Sequence, residues 1–181
     1  MRFKEYITEW QTTKYGDICK VFSGGTPKSS NREYYKGKIP FIRSGEIHSD
    51  KTELFINEKA LNESSAKMVS EGDILLALYG ATSGEIDISK INGAINQAIL
   101  CIKTNQNKLF IKYSWESKVD KYLSIYLQGG QGNLSAEIFK SIKVDLASDK
   151  EQEKIGNFLK IIDERIETQN KIIKEYNSYI F

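Results

Sequence analysis

Apolar residues recur along this chain with two periods, and the change from one to the other marks where strands should give way to helices. Asp17 to Phe22 reads as a strand or a short helix entering a glycine-rich turn, Ser23-Gly24-Gly25-Thr26-Pro27. Ile39-Pro40-Phe41-Ile42 predicts a short buried strand with its proline at an end or an edge. Ala60 to Val69 is weakly helical, and Glu71-Gly72-Asp73 is a turn. Ile74 to Tyr79 is an unbroken apolar run, as expected of a strand buried on both faces. Gly80 to Gly84 turns the chain back into Ile86-Asp87-Ile88, which alternates as a half-buried strand should, and Ala98 to Ile102 is another buried strand. The first fifteen residues show no clear period and read as a lead-in segment around Trp10.

From residue 108 the period lengthens. Lys108 to Gln128 lacks Gly and Pro and carries Phe110, Ile111, Trp115, Val119, Tyr122, Leu123 and Tyr126, which predicts one helix with a wide core face, stopped by Gly129-Gly130. Ile142 to Leu146 alternates as a strand, and Ser148 with Glu151 three residues later supplies a capping box for a terminal helix. That helix carries Ile155, Leu159, Ile162, Ile166, Gln169, Ile173, Tyr176 and Ile180 at alternating steps of four and three. Such steps average 3.5 residues per turn and keep one stripe facing a partner helix along its length, with the lone polar Gln169 helping to fix register. The predicted class is an α+β globule over residues 1–147 followed by one long helix over 148–181.

Composition narrows the function. With 181 residues, 40% apolar and 28% charged, the chain has room for one cored domain plus the helix. No apolar run approaches membrane-spanning length and the N-terminus has no signal-peptide h-region, so a cytoplasmic protein without a membrane partner is expected. Cys19 and Cys101 each sit in an apolar run and are expected to be buried free thiols. The net charge of +2 is uneven: from Asp149 onward six Lys/Arg meet seven Asp/Glu, leaving 20 basic and 17 acidic groups before it. Lys28, Arg32, Lys36, Lys38 and Arg43 face only Glu33 within residues 28–43. That is either a solvated loop or, with Tyr34 and Tyr35 interleaved, a surface suited to phosphates and bases.

Catalytic chemistry is thinly supplied. His48 is the only histidine and has no cysteine at ligand spacing, so a surface-loop role is expected and no metal site. Ser23 to Ser29 lacks the glycine spacing of a phosphate-binding loop, and Gly80 to Gly84 is not a nucleophile elbow. Glu116-Ser117-Lys118 has no acidic partner motif, and Pro27 and Pro40 are not adjacent, which excludes the Asn/Asp-Pro-Pro-aromatic loop of an adenine methyltransferase. The chain is expected to catalyse nothing alone and to need no cofactor.

Taken in order, several blocks carry a family resemblance. They are Glu9-Trp10, Lys14 to Ile18, Ser23 to Pro27, Tyr34 to Ile47, Gly72 to Leu75, Tyr79 to Gly84, Asn96-Gln97-Ala98, Gly130 to Ser135 and Glu151 to Leu159. Together they resemble the DNA specificity subunit of type I restriction–modification systems, over essentially the whole chain. Phe41 stands where the family usually has tryptophan, and Asp145, Ala147 and Ser148 stand where it tends to place prolines. The family usually joins two target recognition domains, each followed by a long helix, whereas this sequence resembles one such half.

The resemblance implies a mixed, twisted β-sheet with flanking helices as target recognition domain, and a coiled-coil helix behind it. It implies a non-catalytic role: reading half of a split double-stranded DNA target while separate modification subunits methylate adenine N6 after flipping the base. Restriction subunits are further candidate partners. The stripe Ile155, Leu159, Ile162, Ile166, Gln169, Ile173, Tyr176 and Ile180 then has as candidate partner a second copy of this chain or the other half of a split subunit, and pairing of two identical chains implies a homodimer reading an interrupted palindrome. Lys28, Arg32, Lys36 and Lys38 are candidate phosphate contacts; Arg43, Ser44, Glu46, Tyr79, Thr82, Ser83, Gln128, Gln131 and Asn133 are candidates for base edges. Two rivals stand beside this reading: a non-functional fragment, and an interaction protein that blocks methyltransferase assembly through the terminal helix.

Overall fold

A computed structural model describes residues 3–127 and 133–180. Its elements run β1 (Gln11–Lys14), α1 (Tyr15–Ile18), β2 (Cys19–Ser23), β3 (Ile39–Ile42), β4 (Phe55–Ile56), α2 (Glu58–Asn62), β5 (Lys67–Val69), β6 (Ile74–Ala77), β7 (Ile86–Ile88), β8 (Gly93–Ile95), β9 (Ile99–Thr104), α3 (Lys108–Glu116), α4 (Val119–Leu127), α5 (Ala136–Ser141), β10 (Lys143–Leu146) and α6 (Asp149–Ile180). Short 3-10 turns at Arg32–Tyr35 and Ser44–Glu46 flank β3.

Three sheets organise the globule: an antiparallel sheet in the order β2-β9-β6-β7, a mixed sheet in the order β4-β3-β8-β5 whose β3 and β8 run parallel, and the ribbon β1-β10. In the first sheet, the central strand β6 and the first four residues of β9 are buried on both faces. Ile74, Leu76, Leu100 and Ile102 pack with Trp115, Tyr15 and Phe139 of the helical side, while Leu75, Ala77, Ile99 and Cys101 pack with Ile42, Val69 and Ile95 of the second sheet and with Ile47 just after the Ser44–Glu46 turn. Alternate residues therefore enter two different cores, which is why β6 reads as a continuous apolar run. Cys19 and Cys101 are buried free thiols, as expected. Among the described residues no helix is long and apolar enough to cross a membrane.

Several local expectations change. The Asp17–Phe22 segment is both things at once, since α1 gives way to β2 at Cys19. Of the expected 60–69 helix, α2 ends at Asn62 and Lys67–Val69 is strand, because β5 pairs with β8. The lead-in supplies β1, whose polar residues pair with β10 through their backbones. The expected 108–128 helix is broken at Ser117-Lys118, where the Lys118 N–H turns back to Trp115 O at 3.0 Å. The break lets both halves converge on one glycine: Trp115 Nε1 donates to Gly84 O at 2.8 Å, and a Cβ on Gly84 (φ +90°) would sit 2.7 Å from Val119 Cγ2.

The terminal helix is a single rod of 32 residues, about 48 Å at ~1.5 Å per residue. Its first turns are moored. Gln152 accepts from Asn107 N–H at 3.2 Å and donates to Gln106 Oε1 and Ala147 O, and Tyr113 OH donates to Asp163 Oδ2 at 2.7 Å. Past Asp163 every described side chain is exposed.

Candidate nucleic-acid interface

The sheet β2-β9-β6-β7 gathers four loops at one end. Leu78 N–H donates to Ala98 O at 2.8 Å, Leu134 N–H donates to Leu78 O at 2.9 Å, and Gly24 N–H donates to Asn96 O at 3.2 Å. These bonds bring together the turn after β2, the Tyr79–Gly84 turn, the Asn96-Gln97-Ala98 loop and the Asn133-Leu134 segment. Gly24 is required for that approach, since a Cβ there would lie 1.8 Å from Ile95 O. Thr26 Oγ1 donates to Gln97 Oε1 at 2.5 Å, so Gln97 is held at the surface with its amide orientation set. Nothing local in the sequence marks Thr26 and Gln97 as site residues, because their meeting depends on a pairing 71 residues apart.

Of the candidates for base edges, Tyr79 rests against the helical core, Thr82 is half-buried, and Ser83 Oγ donates to Leu78 O at 3.1 Å. Asn133 is exposed beside them. Gln128 and Gln131 lie outside the described residues.

The basic stretch forms the rim. Lys28, Arg32, Lys36 and Lys38 are all exposed, and Lys36 is paired to Glu33 at 2.6 Å. Tyr34 and Tyr35 do not project with them. Tyr35 OH donates to Pro27 O at 2.7 Å, Tyr34 OH donates to Glu63, and both rings pack on the small core around Phe41, Ile56 and Ala94. The tyrosines pin the loop; the cations are what it presents.

Arg43, Ser44 and Glu46 sit apart, at the start of a tightly bonded turn. Arg43 Nε donates to Glu46 Oε2 at 3.2 Å, and its Nη2 donates to Glu46 Oε1 at 3.0 Å and Glu53 Oε2 at 2.6 Å. Partial burial works against the charge on Glu46, but Arg43, the backbone N–H groups of Glu53 and Arg43, and the Thr52 hydroxyl hold its carboxyl at about 2. Arg43 and Glu46 brace one another, and Ser44 is the half-buried group between them.

The helix stripe divides in two. Ile155 is 5% exposed in the domain's own core and Leu159 packs against that core, whereas Ile162 is 38%, Ile166 53%, Ile173 53% and Tyr176 67% exposed. Gln169 is exposed among them, and the side chain of Ile180 lies outside the described residues. Ile161 and Ile172 widen the uncovered face, while Phe158, also exposed, meets the Phe3 ring edge-on.

Comparison with known proteins places this geometry. Residues 7–177 match the family model described as type I restriction modification DNA specificity domain. The chain is 29% identical to the specificity subunit of the type I restriction enzyme MjaIX of Methanocaldococcus jannaschii, over 96% of this chain and 43% of the relative. It is 26% identical to the specificity subunit of HindI of Haemophilus influenzae, over 75% of this chain and 31% of that one. The chain thus spans about two fifths or less of these relatives' length. Its fold matches the HsdS subunit from Thermoanaerobacter tengcongensis with a TM-score of 0.67 at 16% identity, over 92% of this chain and 40% of that one. It also matches the type I system S subunit from M. genitalium with a TM-score of 0.68 at 17% identity, over 91% and 41%. With a family model covering nearly its whole length, the chain belongs to the type I restriction modification DNA specificity domain family.

Proposed function

We propose that this chain is the recognition part of a type I specificity subunit, reading one half of a split double-stranded DNA sequence for separate modification subunits. The observation that carries this is the gathering of four loops at one end of a sheet whose central strands are buried on both faces, rimmed by Lys28, Arg32 and Lys38. A rigid platform fixes where polar side chains meet base edges, while the rim supplies affinity that depends on salt. Tyr79, Thr82, Ser83, Asn133 and, in addition, Gln97 are the groups placed to read bases. Gln and Asn suit adenine through paired donor and acceptor. Arg43 and Glu46 act through the shape of their turn. The chain catalyses nothing itself; methyl transfer, and any cleavage, belong to partner subunits. The uncovered half of the α6 stripe pairs with the same helix of a second copy and offers its flanks to those partners.

The experiment is to co-express the chain with a type I modification subunit with which it forms a stable complex, and to map methylated adenines across the host genome. A new, interrupted and palindromic motif is expected, because two identical reading surfaces related by a two-fold axis see the same half-site twice. A stable complex that adds no methylation overturns the reading and favours a protein that blocks assembly.

A further inference from the structure

The edge of the first sheet carries a second basic surface, running away from the loops. The register of β2 on β9 sets Lys20 directly opposite Lys103. Like charges directly opposed across a strand pair are destabilising, and a fold that keeps them has a use or a counter-charge for them. Here the counter-charge is partial. Asp73, 4% exposed, lies beneath Lys103 and ion-pairs with it. Lys108 joins the two lysines around one shallow depression of about 570 Å³, where its Nζ donates to Gly72 O at 2.5 Å. Asp17 also lines the depression and is occupied by the backbone N–H of Lys14 and the hydroxyl of Thr13.

Two residues along the same face of β2, the Phe22 ring carries Lys67 Nζ at 5.6 Å from its centroid. Lys67 comes from β5, the edge strand of the second sheet, so the row of cations bridges both sheets. Among the described residues, no carboxylate lies within ion-pair reach of Lys20 or Lys67, and both are exposed. Beyond Phe22 the chain itself leads through the exposed Thr26 to the exposed Lys28 at the rim of the loops. The five residues of β2 extend roughly 17 Å at ~3.4 Å per residue. Along the B-DNA axis each strand presents a phosphate about every 3.4 Å, so a strip of that length is long enough to meet more than one phosphate. All four cations are lysines, point charges suited to phosphate oxygens and lacking the planar fork that reads guanine.

We propose that Lys20, Lys67, Lys103 and Lys108 form a phosphate-tracking strip that holds the duplex flanking the bases read by the loops, adding affinity without sequence preference. This rests on the DNA-recognition reading above. The test uses the full chain in complex with its modification subunits and measures affinity for a duplex bearing the methylated motif, and for a scrambled duplex, across a series of salt concentrations. In the double variant Lys20→Gln, Lys67→Gln the slope of log affinity against log salt should become shallower by about 1.8, at ~0.9 for each phosphate that is no longer neutralised. The ratio of affinities for motif and scrambled duplex should stay the same, and Lys20→Arg, Lys67→Arg should restore the slope. An unchanged slope in a variant complex that still binds DNA overturns the strip alone, as does a changed ratio. A wild-type complex that binds neither duplex overturns the DNA-recognition reading, and the strip with it.

Discussion

The indole N–H of Trp10 donates to Glu151 Oε2 at 3.0 Å, tying the lead-in segment to the first turn of α6 across 141 positions of chain. Glu151 is fully buried, and the same clasp continues outward, with Phe3 edge-on to Phe158 at 5.9 Å and Lys154 over the Phe3 ring at 4.5 Å. The direction in which α6 leaves the globule is therefore set by both ends of the described chain.

Removing the indole donor should cost stability. Trp10→Phe keeps the edge contact with Phe110 but takes a hydrogen bond from a buried carboxylate. A bond of that kind is worth about 2 kcal/mol. Urea unfolding should show the midpoint falling with the slope unchanged, and a change below ~0.5 kcal/mol would mean that the clasp is incidental to the fold.

What could be read in the sequence follows from how local each cause is. The buried strand at Ile74–Ala77 was legible because both of its faces enter cores, and the terminal helix because its period persists for thirty residues. β8 was not, since Gly93-Ala94-Ile95 has neither length nor alternation and exists because β3 and β5 lie on either side. The break at Ser117 has no Gly or Pro to announce it, and the residues on either side of it meet Gly84, more than thirty residues earlier. Likewise, the opposition of Lys20 and Lys103 exists only in the strand register. The Arg43–Glu46 brace did leave a signal, opposite charges three residues apart at the start of a turn, but it reads equally as a pair of DNA contacts.

Protonation of the sole histidine should be visible in stability. His48 Nδ1 lies 2.9 Å from Asp87 Oδ2 and its Nε2 lies 3.1 Å from Glu85 Oε2, an arrangement in which both ring nitrogens donate only when the imidazole is charged. The hydrogen bond to Asp87 raises the His48 pKa, against partial desolvation. Asp87 is lowered: burial opposes its charge, but bonds from His48 and the Ile88 N–H and the nearby charge of Lys112 prevail. With a raised folded pKa, the His48 contribution is fully present below the unfolded value of about 6.5 and is lost as pH rises through the folded value. The Asp87 contribution is present above its unfolded value and is lost as pH falls through its lowered one. Unfolding midpoints should decline as pH rises from about 6.5 through the raised folded value, and His48→Gln should remove that decline. Because the chain has one histidine, its imidazole proton signal titrates alone, and a midpoint at or below ~6.5 would refute the assignment.

The exposed part of the α6 stripe makes the last prediction, on self-association. A helix standing free past Asp163 with Ile166, Ile173 and Tyr176 all more than half exposed has no apolar face covered by its own domain. Pairing is what would make that stretch stable as a helix, since isolated helices of such length are marginal in water. Ile162→Asp with Ile166→Asp places two carboxylates per chain in the seam and touches nothing in the domain core, so the monomer should unfold as before. Each isoleucine buried in a pair contributes roughly 1.5–3 kcal/mol, so the dimer should weaken by at least about a hundredfold. Sedimentation across a concentration series reads this directly. Ile155→Asp should behave differently, lowering the unfolding midpoint of the domain, because Ile155 lies in the core with Phe110 and Trp115. Equal self-association in the wild type and the Ile162→Asp, Ile166→Asp variant would locate any dimer contact elsewhere on the molecule.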